Sequence, residues 1–172
     1  MYAIGRSVAF SLLLLLSPLS TFPQTGGVPA KEDNLYSMAL IASMTEMEKS
    51  SGHIDDSDGG RGIRTDYHHM VVEMDPEITN NLPSEFGDYR VEYLDRQARI
   101  DRYKKLRKQF SILRIHPMKN EGSRLKISIT VSYFRYEKGR SIFALSDWSN
   151  VEFRYDCAKQ DYVIAEVKLG GI

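Results

Sequence analysis

Between Arg124 and Tyr133 apolar and polar side chains alternate without interruption. Leu125, Ile127, Ile129, Val131 and Tyr133 share one face, and Lys126, Ser128, Thr130 and Ser132 share the other. Successive side chains of a strand point to opposite faces, so the segment is committed to a β-strand with one dry side and one wet side. The residues that follow supply its neighbours. Lys138-Gly139 predicts a tight reversal. Ser141 to Tyr155 continues as strand, with Val151, Phe153 and Tyr155 aligned. Asp156 to Asp161 turns the chain, and Tyr162 to Leu169 closes with Val163, Ala165, Val167 and Leu169 aligned. Short connections between consecutive strands predict an antiparallel meander. Phe134 and Tyr136 place aromatics on the formerly wet side, so a bulge or bend near Tyr133 is expected.

Upstream of Phe110 the period is helical. Lys31 to Ser50 reads as a helix, with Glu32 and Asp33 in a first turn where acids suit the dipole. Leu35, Met38, Ala39, Ala42 and Thr45 give one face, and Leu40, Ile41, Met44 and Met47 extend apolar character around the cylinder. A helix of that kind is expected to be buried on several sides. Ser50 to Gly62 reads as a polar loop, Tyr67 to Met74 as a strand ended by Asp75-Pro76, and Tyr89 to Leu94 as a short strand. Asp95 is expected to cap a helix running to about Lys108, with Ile100, Tyr103, Leu106 and Phe110 as a narrow apolar stripe.

The start of the chain reads as an address. Arg6, the apolar run Val8 to Leu16 and the break at Pro18 form a secretory signal pattern, too short for a spanning helix. The expected organisation is a signal over 1–22, a linker over 23–30 and a single α+β domain over 31–172. After signal removal no membrane span is expected. The single cysteine, Cys157, rules out an internal disulfide, and an exported chain without disulfides fits a bacterial envelope, periplasmic or secreted. Lys plus Arg and Asp plus Glu number 23 each, so net charge implies no nucleic acid.

Helix, strands, helix and a final bent meander follow one another in this chain. Val91-Glu92-Tyr93-Leu94 leads into a charged helix, Phe110 to Ile115 follows, then Leu125 to Tyr136, and Asn150 to Tyr155 with Tyr162-Val163-Ile164 ends the domain. That pattern resembles the cystatin-like superfold and, within it, the nuclear transport factor 2-like branch. The resemblance implies a curved antiparallel sheet packed on the N-terminal helix and the second, basic helix, with a cone-shaped pocket. Members include isomerases, dehydratases, ligand binders and protein-binding subunits, so the fold alone selects no function. Residues 50–87 depart from the compact start of that pattern.

Candidate chemistry is sparse. His68-His69 lie side by side on a strand and so face opposite ways, which argues against one shared metal ion. Asp55, Asp56 and Asp58 miss the calcium-loop spacing, because Ile54 and Thr65 stand where its first Asp and last Glu belong. No phosphate loop, nucleophile elbow or metal set is present, and no cofactor is expected. Cys157 beside Asp156 has the wrong electrostatics for a nucleophile. Asp147 and Trp148 lie within the meander, where Tyr133, Arg114 and His116 could join them from neighbouring strands. Trp148, Arg114 and His116 are the binding candidates. Asp147 with Tyr133 is the catalytic candidate, since a buried acid near a tyrosine can move protons. Arg96 to Lys108 holds seven basic residues and reads as a solvated face or a polyanion contact. The expected function is non-enzymatic binding of a small ligand or protein partner, with a homodimer possible in principle. The alternatives are an isomerase or hydratase using Tyr133 and Asp147, and a polyanion-binding module.

Overall fold

The computed structural model describes residues 31–51 and 68–171. The signal and linker segments, the acidic loop and Gly59 to Gly62 lie outside the described residues. The fold is α+β: among the described residues, a mixed, open, curved sheet of eight strands with two helices. Helix α1 spans Lys31–Ser51. Strands β1 (His69–Glu73), β2 (Glu85–Phe86) and β3 (Tyr89–Leu94) precede helix α2 (Arg96–Leu106). Then come β4 (Phe110–Ile115), β5 (Lys119–Glu121), β6 (Arg124–Glu137), β7 (Arg140–Asp156) and β8 (Asp161–Gly171). Spatial order is β2-β3-β1-β4-β6-β7-β8, with β5 also pairing β6.

The meander from β4 through β6 and β7 to β8 is antiparallel, as its short connections require. The reversal at Lys138-Gly139 has positive φ at both residues, 50° and 77°. Glycine relieves the steric cost at the second position. β1 is different. It lies between β3 and β4 and is parallel to both. Its short apolar run gave no sign of partner direction, because parallel pairing is set by the connections that return the chain, residues 74–88 between β1 and β3 and α2 between β3 and β4, and not by the strand itself. β5 is set apart from β4 by His116, Pro117 and Met118, and a proline cannot donate to a ladder.

The two faces of the sheet carry separate cores. Leu35, Ala39, Leu40, Met44 and Met47 of α1 pack against Ile127, Ile129, Val131, Val151 and Phe153. Inside this core Ser149 Oγ donates to Ser43 Oγ at 2.7 Å, so both buried hydroxyls are satisfied. The opposite face packs α2 through Ile100 against Val71, Leu94, Phe110, Ile112 and Phe134. Asp95 caps α2, accepting from the Ala98 amide at 2.7 Å.

Two stripes differ from their sequence expectations. On α1 the deepest residues include Tyr36, Ala39, Leu40, Ser43, Met44 and Met47, while Met38, Ile41, Ala42 and Thr45 are half-buried. On α2, Leu106 is 39% exposed and Arg99 is buried in its place. Helical spacing locates a stripe, but a long arginine stem can occupy core space while its head finds a carboxylate.

The expected bulge also has a different owner. β6 runs through Val131, Ser132 and Phe134 with continuous register against β4. The register shift is against β7, where Ser146 is the extra residue between Leu145 and Asp147. Phe134 and Tyr136 thus lie on the same side as Ser128 and Thr130. That side turns apolar there because α2 covers its second half.

Candidate functional site

The wet side of β6 is one continuous surface with two halves. α2 covers one, and the other is open among the described residues. Pairing across the open half follows a single row: Arg114 on β4 is opposite Thr130, Thr130 opposite Trp148, and Trp148 opposite Gly170. Paired residues share a face, so the Arg114 and Trp148 side chains point the same way. His116 joins them, its Nε2 lying 3.1 Å from Thr130 Oγ1. Beside that row Ser128 Oγ donates to Asn150 Oδ1 at 2.6 Å.

The β7 bulge decides which side chains meet here. Side chains alternate along a strand, and one extra residue shifts the alternation. Phe143 and Leu145 pair with Phe134 and Ser132, and Trp148, beyond Ser146, pairs with Thr130. All three therefore line up on one face despite the uneven spacing. Phe143 is 38% exposed and Leu145 45% exposed. Gly170 makes room for the indole: a Cβ there would lie 2.3 Å from Trp148 Cζ2. The ring lies across β8 where a side chain would otherwise stand.

Arg114 is at the boundary between the halves. Its Nε donates to Glu73 Oε2 at 2.5 Å, and its guanidinium carbon is 5.3 Å from the Phe143 ring centroid. Arg99 from α2 pairs with the other oxygen of Glu73 and lies over Phe134 and Phe143. Burial raises the Glu73 carboxyl, but hydrogen bonds and charge from Arg114 and Arg99 outweigh it and hold its pKa below the ordinary 4.5. Two guanidiniums share one carboxylate, so the cluster keeps a positive excess. His116 titrates below its ordinary 6.5, because of burial and then the charges of Arg114 and Lys119, against a smaller opposing effect of Glu73. It is a neutral imidazole at neutral pH, able to donate from one nitrogen and accept at the other.

The five residues singled out in the sequence are divided between the faces. Trp148, Arg114 and His116 come together on the open half. Asp147 follows the bulge and shares the opposite face with Tyr133, the side on which Val131 and Ser149 are buried. Asp147 is exposed and accepts from Ser146 Oγ at 2.5 Å. Among the described residues no hydrogen bond joins it to Tyr133. The two histidines also diverge: His68 stacks on Tyr89 and lies 3.1 Å from Glu48, whereas His69 approaches Glu92 on the other face. Among the described residues no group of three or more His, Cys, Asp or Glu could hold a metal ion.

Of the basic run on α2, Arg99 and Arg102 are engaged by Glu73 and Glu92. Lys104 lies over the Tyr136 ring at 6.0 Å. Cys157 is exposed in the β7–β8 turn. No described helix is long and apolar enough to cross a membrane. Sequence reasoning missed Glu73, Phe143, Leu145 and Gly170. The alternation of β6 did mark the face, through Ser128 and Thr130. Searches of protein-family models, curated proteins and solved structures found no match to this chain, so a functional reading rests on the geometry above.

Proposed function

We propose that this is an exported binding domain that holds a ligand or partner on the open half of its sheet. What supports the reading is one juxtaposition: Leu145 and Trp148 stand in line on β7 with Phe143 at the boundary with α2, and Arg114 and His116 lie beside them. Exposed apolar side chains next to a cation with spare donors suit a molecule carrying a carboxylate on an apolar body. Arg114 has the geometry for the charged end, since a guanidinium presents five donors and Glu73 takes only part of them. Trp148 offers a flat apolar surface, and His116 with Thr130 offers neutral hydrogen-bonding groups. Export follows from the leader pattern and implies that the ligand is met outside the cytoplasm.

Trp148 is the only tryptophan in the chain, so its fluorescence reports this site alone. Titration with straight-chain carboxylates from acetate to decanoate should give a saturable change that strengthens with chain length. Arg114→Ala should weaken decanoate binding about tenfold, the effect of losing one charge-assisted hydrogen-bonding partner. No saturable change with any chain length, or equal binding by Arg114→Ala, would reject the reading.

A further inference from the structure

The sheet ends very differently on its two sides. One edge is β2, two residues long. The other is β8, eleven residues from Asp161 to Gly171, and no described strand pairs with its outer side. An edge without a strand beside it offers backbone donors and acceptors as a template for another strand, here over 163–171 among the described residues. β8 contains no proline, and its one irregularity is a bulge at Ala165.

An apolar groove runs directly beside that edge. Met38, Ile41, Ala42 and Thr45 of α1 line it with Ile164 and Val167 of β8, Glu46 stands in the same lining, and the open groove has a volume of about 420 Å³. The four helix positions are spaced i, i+3, i+4 and i+7, the pattern of a packing stripe. They are not the stripe that α1 lays on its own sheet, which includes Ala39, Leu40, Ser43, Met44 and Met47. α1 therefore has a second apolar stripe, aimed over β8. Two of its four residues, Ala42 and Thr45, are small enough for another helix to approach closely.

We infer that this edge and stripe pair with a second copy of the chain, β8 against β8 and α1 against α1, about a two-fold axis through Val167. Within one chain Lys168 Nζ lies 3.0 Å from Glu166 Oε2 and 3.4 Å from Glu152 Oε1, and the same charges on β8 discriminate between the central registers of a two-fold pair. Directly opposed residues of paired strands share a face, so in an antiparallel pair of identical strands their numbers must sum to an even value. An axis through Glu166 would oppose Glu to Glu, and an axis through Lys168 would oppose Lys to Lys. An axis through Val167 sets each Glu166 against Lys168 of the second copy, twice by symmetry. The same axis brings the two grooves together, so each α1 stripe closes over the other. The bulge at Ala165 keeps the regular ladder short, and the helix contact supplies the rest of the interface.

Protein produced from the full-length sequence and recovered as the cell leaves it should have the mass of two chains by light scattering and sedimentation. Glu166→Lys alone, or Lys168→Glu alone, should raise the dimer dissociation constant about tenfold, because each puts like charges face to face at two symmetric places. The double variant Glu166→Lys/Lys168→Glu restores opposite charges and should restore wild-type dimerisation. Circular dichroism checks that each variant is folded. Should either single variant fail to fold, Ile41→Glu on the helix stripe should give single chains. A wild-type mass of one chain would overturn the proposal. So would a dimer indifferent to the single changes, or a folded double variant that does not recover.

Discussion

α1 and α2 hold opposite faces of one sheet by different means. α1 seats aliphatic side chains and Met44 among Ile127, Ile129, Val151 and Phe153, several of them with no exposure at all. α2 brings few apolar residues. Ile100 is buried, but its neighbour in the interior is Arg99, which reaches Glu73 and lies over Phe134 and Phe143. The first contact is held by the removal of apolar surface from water, and the second by aromatic packing with an ion pair that must stay intact. A helix that cannot supply an apolar stripe can still be fastened if its cation finds a carboxylate under it. The expected consequence is that the core under α2, which contains the Glu73 carboxylate, responds to pH more than the aliphatic core under α1.

The comparison is tested hardest in the aliphatic core. Phe153 has no exposed surface, and Phe153→Ala should cost about 3–5 kcal/mol in urea unfolding, with little dependence on pH. A loss below about 1 kcal/mol would mean that α1 does not depend on close packing in that core.

Glu73→Gln probes the other face. It leaves Arg99 buried without its counter-charge, and with Arg114 half-exposed to water the cost at pH 7 should be about 2 kcal/mol. Because the folded-state pKa of Glu73 lies below 4.5, its contribution is complete above that pH and is lost as pH falls through the folded value. The gap between wild type and Glu73→Gln should therefore narrow progressively as pH falls below the ordinary 4.5. A gap that persists in acid would assign the effect to shape and not to charge.

The smallest effect concerns how α2 begins. Asp95→Ala removes the acceptor for the Ala98 amide and should cost about 1 kcal/mol. Amide exchange should quicken in the first turn of α2 and stay unchanged in α1. Equal acceleration in both helices would show that the two faces unfold together.

Much of this architecture could be read from local pattern. The alternation of β6, the reversal at Lys138-Gly139 and the Asp95 cap each depend on residues close in sequence, and each is present. The parallel placement of β1, the burial of Arg99 and the extra residue at Ser146 were not readable, because each depends on a partner distant along the chain. The same divide runs through the site. Arg114, His116 and Trp148 attracted notice as residue types, and Asp147 did so as the neighbour of Trp148. Only the paired strands showed that Trp148 and Asp147 face opposite ways and that Phe143 and Leu145 join the former.

By itself the sequence determined both helices and the longer strands, though not the short β2 and β5, together with the two-sided character of the long strand and the pairing of consecutive strands by short turns. These follow from side-chain period and turn chemistry, which act over a few residues. The tertiary structure alone decided which half of the wet face is left open by the described residues, where one extra residue reverses the alternation, and which edge has no strand beside it among the described residues. Those outcomes follow from which surfaces meet, and contacts between distant segments leave no periodic trace in either segment.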